Sequence, residues 1–150
     1  MDDAAIKGLD TFLQQVPYVR FLGMRVELAG DEMTAVLPFA DHLVGNPMIP
    51  ALHGGVVGAF MELTALAQIS LTQPGRRVPK TIDITIEYLR SARPQPTYAR
   101  AILRKVGRRV ANVQVEAWQD SRAQPIAGLT GHFLLRAASE AAPDGRTQIP

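Results

Sequence analysis

The chain has no cysteine, which excludes a disulfide scaffold, a Cys-ligated metal and a thiol nucleophile. Histidine is scarce as well. His42, His53 and His132 are the only three in 150 residues, too scattered to read as a metal site, and His132, set in an apolar strand, is expected to be a satisfied core histidine. Neither sign of charge predominates. The 16 Lys and Arg stand against 14 Asp and Glu, a formal net charge of +2, so a pI near 9.3 reflects a slight arginine excess and no nucleic-acid footprint. There is no Gly-x-Ser-x-Gly elbow, no phosphate loop and no internal repeat. Met1-Asp2-Asp3 lacks a basic n-region, and the longest apolar run is interrupted by Glu62. Both features argue against a signal peptide and a membrane span, and for a cytoplasmic protein.

What is present suits one domain with a proper core: 47% of the residues are hydrophobic. Residues 1–136 are expected to form it, and 137–150, without periodicity, a mobile tail. Ala4 to Val16 reads as an amphipathic helix ended by Pro17, with Ile6, Leu9, Phe12, Leu13 and Val16 inward. Strands over Gly23–Ala29 and Glu32–Phe39 flank a Gly30-Asp31 turn. Ala40–Leu52, with Pro47 and Pro50, reads as a loop leading to a helix. Further strands are expected near Pro79–Leu89, Thr97–Val106, Arg109–Trp118 and Pro125–Arg136. In the first of these Ile82, Ile84, Ile86 and Tyr88 alternate with Asp83, Thr85 and Glu87, the period of a sheet with one buried face. One long apolar helix across the apolar face of an antiparallel sheet is an α+β sandwich.

The long helix carries the anomaly. Gly54 to Leu71 is apolar, rich in good helix formers and free of proline. Thr64, Gln68 and Thr72 recur every fourth residue and define the expected wet stripe, from which Glu62 lies roughly 120–160° away. A carboxylate inside a core is costly unless it is paired, hydrogen-bonded or kept for chemistry. Gly55 and Glu62 are seven positions apart, on one face and about 10 Å apart along the axis. The helix start aims free backbone N–H groups at whatever precedes it, and such an amide is a ready oxyanion donor. Glu62 can act on the same substrate if the site is shared with a second helix.

Two arginine pairs stand where strands end. Arg90 and Arg93, with Ser91 between them, close one strand, and Arg108 and Arg109 follow Gly107 at a hairpin turn. Planar guanidinium groups suit phosphate oxygens bidentately.

Taken together, Asn46, His53-Gly54-Gly55, an acid nine after the histidine, and the strand Thr81-Ile-Asp-Ile-Thr-Ile-Glu-Tyr-Leu-Arg90 resemble the PaaI-like acyl-CoA thioesterases of the hot-dog superfamily. The likeness runs from about Phe12 through Leu22-Gly23-Met24 to Phe133-Leu134-Leu135. It implies a hot-dog fold, a long central helix wrapped by an antiparallel sheet with an N-terminal helix. It also implies an acyl-CoA substrate, no metal or other cofactor, and a homodimer or dimer of dimers. The implied site has the Gly55 amide on the thioester carbonyl, Glu62 as general base or nucleophile, Asn46 positioning water or substrate, Thr81 bonding the carboxylate or the water, and His53 as a positioner. Gly54, Arg90, Ser91, Arg93, Arg108 and Arg109 are the implied substrate contacts.

In many relatives the Asn lies six before the histidine; here the interval is seven, so the extra residue is either absorbed as a bulge or leaves Asn46 a turn residue. Two alternatives accompany this reading. Gly45-Asn46-Pro47-Met48-Ile49-Pro50 and Glu62 to Gln68 also resemble pieces of hydroxyacyl-thioester dehydratases on the same fold, with the acid farther from the prolines and only His42 as the upstream histidine. A non-catalytic acyl-CoA binder is the other.

Overall fold

The computed structural model describes residues 2–75 and 77–137; beyond Ala137, the expected tail lies outside the described residues. Helix α1 (Asp3–Leu13) starts at Asp2, whose carboxylate accepts from the Ala4 N–H, and buries Ile6 and Leu13. Phe12 is exposed instead of inward. Pro17 does not end this helix, which stops at Leu13. It opens a second, α2 (Pro17–Leu22), at the first-turn position where a missing N–H costs nothing. Gly23, at φ 73°, closes α2 in the left-handed region.

Strands β1 (Arg25–Ala29) and β2 (Glu32–Leu37) form the expected hairpin around Gly30, at φ 65°. The segment expected as loop holds a short 3₁₀ turn and a small two-stranded ladder, β3 (Val44–Asn46) with β4 (Ala51–Leu52). It delivers the chain into α3 (Gly54–Thr72). Strands β5 (Lys80–Tyr88), β6 (Thr97–Val106), β7 (Val110–Trp118) and β8 (Ala127–Leu134) follow.

The large sheet has the order β1-β2-β6-β7-β8-β5, antiparallel throughout. Helix α3 lies across it, touching β6, β7 and β8 most. It is long and apolar enough to cross a membrane, but its apolar residues are spent on the core. Phe60, Met61, Ala65 and Ile69 meet Val113, Val115, Leu129 and Phe133 there, all fully or nearly fully buried. Each large side chain removed from water contributes about 1.5–3 kcal/mol. A long helix wrapped by an antiparallel sheet, with a helix at the N-terminus, is the hot-dog fold.

Strand β5 departs from the expected alternation. Directly opposed residues of an antiparallel pair share a face. Thr81 opposes Phe133, Asp83 opposes His132 and Ile84 opposes Gly131, so Ile82 is the extra residue of a β-bulge. The bulge turns Thr81 to the helix side with Phe133, where strict alternation would have put it outside with Asp83. Ile82 is 53% exposed and Tyr88 57%, while Ile84 and Ile86 are only half-buried. The cause is position: β5 is the last strand of the sheet, with one neighbour.

His132 is likewise not a core residue. It projects outward with Asp83 and Asn112, its Nδ1–H donating to Asp83 Oδ1 at 2.8 Å and its Nε2 accepting from Asn112 Nδ2 at 3.1 Å. On the inner face beside it, Gly131 has no room for a side chain. A Cβ there would lie 2.9 Å from the Asp83 carbonyl oxygen and 3.0 Å from the Phe133 ring. Gly131→Ala is therefore expected to lower the unfolding free energy by about 1–3 kcal/mol, read as a drop in the urea midpoint at unchanged slope.

Candidate active site

The N-terminus of α3 is assembled by its neighbours. The His53 N–H donates to Leu43 O at 2.8 Å and the Leu52 N–H to Ala92 O at 2.9 Å. Gly45 of β3 packs directly on His53, where a Cβ would stand 2.7 Å from the histidine Cα. So fixed, His53 folds its ring back over the first turn, and the Gly55 N–H donates to His53 Nδ1 at 2.9 Å. A Cβ on Gly55 would stand 2.9 Å from the same nitrogen, so glycine leaves the ring its space. Because Nδ1 accepts, the neutral imidazole carries its proton on Nε2.

Strand β5 reaches the same turn from the other side. The Tyr88 hydroxyl donates to Gly54 O at 2.7 Å. A Cβ on Gly58 would lie 2.7 Å from Ile86 Cδ1 and 3.4 Å from the Tyr88 oxygen. Gly54, Tyr88, Arg90 and Ser91 line one cavity of about 360 Å³ with Leu52 and Val57. Three of the expected substrate contacts, Gly54, Arg90 and Ser91, are thus brought together. Tyr88 was missed as a site residue because its place in the alternation reads as core.

Glu62 sits half-buried on α3 beside Ala59, Leu63 and Leu66, which are also half-buried. Among the described residues its carboxylate has no hydrogen bond or ion pair. The expected wet stripe is overturned at Thr64, which is fully buried and donates its hydroxyl to Phe60 O at 2.7 Å. A mid-helix threonine can satisfy itself on the preceding turn and then packs like an apolar residue. Thr81 faces the helix side, but seven residue steps, at most about 23 Å, separate it from Tyr88. One chain therefore holds His53, Gly54 and Gly55 at one end of β5, Thr81 at the other and Glu62 between.

Asn46 meets both alternatives at once. The β3–β4 ladder shifts register between Val44 and Asn46, and the Asn46 side chain accepts from the Met48 N–H at 3.0 Å, a turn of its own making. His42 is bonded through Nε2 to Phe21 O at 2.6 Å and meets the Phe21 ring edge-on.

The arginines divide. Arg90 donates to Pro125 O at 2.6 Å, and Arg93 is ion-paired with Asp120. Arg108 and Arg109 have no carboxylate partner among the described residues. They line a larger cavity, about 1040 Å³, with Lys105, Asn112 and His132. Among the described residues no group of three His, Asp or Glu is placed to hold a metal.

Comparison with known proteins agrees with this architecture. The medium/long-chain acyl-CoA thioesterase YigI of Escherichia coli (strain K12) is 29% identical over 141 residues, covering 84% of this chain and 90% of the relative. A protein of known structure from Chromobacterium violaceum is 37% identical with a TM-score of 0.71, covering 86% of this chain and 90% of its own. A thioesterase structure from Haemophilus influenzae, at 21% identity, shares the fold, with a TM-score of 0.78 over 92% of this chain and 94% of that one. The family model described as the thioesterase superfamily matches residues 50–126, from just before α3 to the start of β8. That is just over half of the sequence, and it contains His53, Gly55, Glu62, Thr81 and both arginine pairs: the chain belongs to the thioesterase superfamily.

Proposed function

We propose that this protein hydrolyses acyl-CoA thioesters to a free acid and CoA in the cytoplasm, as a PaaI-like thioesterase working as a homodimer or a dimer of dimers. The observation that carries this reading is Glu62, a half-buried carboxylate without a protein partner among the described residues, on the helix whose first turn offers the Gly55 N–H. Kinship with the thioesterase superfamily and the likeness to an acyl-CoA thioesterase support the reaction and the substrate class. That relative is named for medium- and long-chain acyl-CoA, which makes such acyl groups the first to assay.

In the proposed reaction the thioester oxygen replaces His53 Nδ1 as acceptor of the Gly55 N–H. Glu62 either takes a proton from an attacking water or attacks the carbonyl carbon itself. Negative charge develops on the oxygen, where the amide and the helix dipole meet it in a site that the second copy closes to water. Collapse of the tetrahedral species breaks the C–S bond and releases CoA thiolate, which takes up a proton. In the nucleophilic variant, water then hydrolyses the Glu62 anhydride. Thr81 holds the water or the carboxylate, Asn46 turns toward the substrate, and no metal or other cofactor takes part.

Two copies supply what one lacks. Gly55 and Glu62 stand about 10 Å apart along one helix, too far to share a reacting carbonyl. The exposed edge of β5 carries Ile82 and Tyr88 and asks for cover. Antiparallel pairing of two such edges about a two-fold axis brings the Thr81 end of one copy beside the helix start of the other. Light scattering at working concentration should therefore give a dimer or larger; a stable, fully active monomer would contradict the shared site.

The phosphates of CoA are assigned to Arg108 and Arg109, whose guanidinium groups have no carboxylate partner among the described residues, with Arg90, Ser91 and Arg93 of the other copy flanking the path to the thioester. Replacing Arg108 and Arg109 by Ala should raise KM for acyl-CoA about tenfold or more and leave a truncated acyl thioester without the nucleotide nearly unaffected. Equal effects on the two substrates would remove these arginines from the nucleotide site.

Glu62→Gln decides the chemistry. It keeps size and some hydrogen bonding but loses the base, so kcat should fall roughly 10²–10⁴-fold with folding and acyl-CoA binding retained. Thiol release at the wild-type rate would sink the mechanism. Tight acyl-CoA binding by the wild-type protein with no thiol release from short, medium, long and aryl substrates would make it a binder.

A further inference from the structure

The Gly54 carbonyl and the Gly55 N–H are the two ends of a single planar peptide group. Both ends are held from outside the helix ladder: Tyr88 donates its hydroxyl to the oxygen at 2.7 Å, and His53 accepts from the N–H at 2.9 Å. We propose that Tyr88 is a positioning residue for the hydrolysis, fixing and polarising through the Gly54 carbonyl the peptide group whose N–H receives the thioester oxygen. The inference rests on the reading of the Gly55 amide as that donor.

Three observations separate this role from simple packing. Tyr88 is 57% exposed in the single chain, so packing within the chain does not account for it, and whatever a second copy covers is the ring, which Tyr88→Phe keeps. The Gly54 carbonyl already serves the ladder bond from four residues on, so the hydroxyl is a second donor to an oxygen that does not need one for stability. The peptide is also flanked by two glycines, whose backbone is the least restrained of any residue. Without an outside contact its plane is restrained on the carbonyl side by the ladder bond alone, and when the plane tilts the N–H tilts with it.

The bond also changes the strength of the donor. Hydrogen bonds in a chain polarise one another, so electron density drawn toward Gly54 O makes the Gly55 N–H a better donor to a developing oxyanion. This benefit grows with the charge on the substrate oxygen. It therefore belongs to the transition state more than to the bound thioester, and it should appear in kcat and not in KM. Two further glycine contacts set the geometry. The ring atoms lie 3.5 Å from the place of a Gly54 Cβ, and the missing side chain of Gly58 lets Ile86, two residues before Tyr88, seat β5 this close.

Tyr88→Phe in the full chain removes the hydroxyl and leaves the ring. The expected result is a fall in kcat for acyl-CoA of roughly three- to thirtyfold, below the 10²–10³ of losing an oxyanion donor outright, with KM within about twofold and an unchanged urea midpoint. In the same variant the Gly55 amide nitrogen resonance should move upfield, reporting the lost bond at Gly54 O independently of any assay. An unchanged kcat, an unmoved Gly55 resonance, or a loss of activity that merely follows the folded fraction would each overturn the assignment. Glu62→Gln assayed in parallel separates the two failures. Inactive Glu62→Gln beside fully active Tyr88→Phe overturns the role of Tyr88 alone, whereas an active Glu62→Gln overturns the hydrolytic reading beneath it.

Discussion

Strand β5 lies against the first turns of α3 because the helix has no side chain at Gly54 and Gly58, and much of the site follows from that approach. A Cβ at position 58 would fall 2.7 Å from Ile86 Cδ1, a distance that real contacts do not tolerate. Seated this closely, β5 places Tyr88 over the helix start and carries Arg90 and Ser91 into the cavity beside it. Gly45 and Gly55 do the same service on the other side, making a slot in which the His53 ring stands over the turn. Four glycines thus fix two side chains and one peptide group. The rigidity comes from the strands they let in and not from the glycines themselves, which on their own would loosen the backbone.

Polar groups along α3 are treated in contrasting ways. Thr64 is buried deeper than Glu62 and costs little, because its hydroxyl is satisfied by Phe60 O within the helix. Glu62 cannot bond to its own helix in this way, and it is left half-buried with apolar neighbours on either side. A carboxylate so placed keeps access to solvent and has no protein partner among the described residues to give up. The arrangement is less expensive than a fully buried charge.

The large elements were legible because their signals are redundant. The helix from Gly54 combines length, apolarity and the absence of proline, and strands β6 and β7 combine alternation with flanking turns, so each was expected within a few residues of where it lies. Single-residue inferences failed where one local feature had two structural uses. Pro17 reads as a stop, but proline is equally suited to a first turn, and here it starts α2. Thr64 reads as wet because hydroxyls prefer water, until a back-bond satisfies them. His132 reads as core from its apolar strand, but its cross-strand neighbours Asp83 and Asn112 are known only once the register is. Tyr88 escaped notice as a site residue for the same reason: its partner, Gly54 O, is 34 positions away, and a backbone carbonyl leaves no mark in the sequence.

The bulge at Ile82 ties the remaining features together. A strict strand from Lys80 would have turned Thr81 to the outer face with Asp83, across the sheet from α3. One inserted residue moves Thr81 to the helix side while leaving Asp83 outside, paired with His132. Bulges tend to occur at sheet edges, where an extra residue disturbs only one ladder, and β5 is such an edge. The same position that permits the bulge leaves the outer backbone of β5 without a strand neighbour among the described residues, so the strand that orients Thr81 also has a ladder open to a further strand. The open ladder and the orientation of Thr81 therefore follow from a single structural feature, the placing of β5 last in the sheet. A sheet that instead buried β5 between two neighbours would satisfy its backbone, and it would close the edge on which the proposed two-copy site depends.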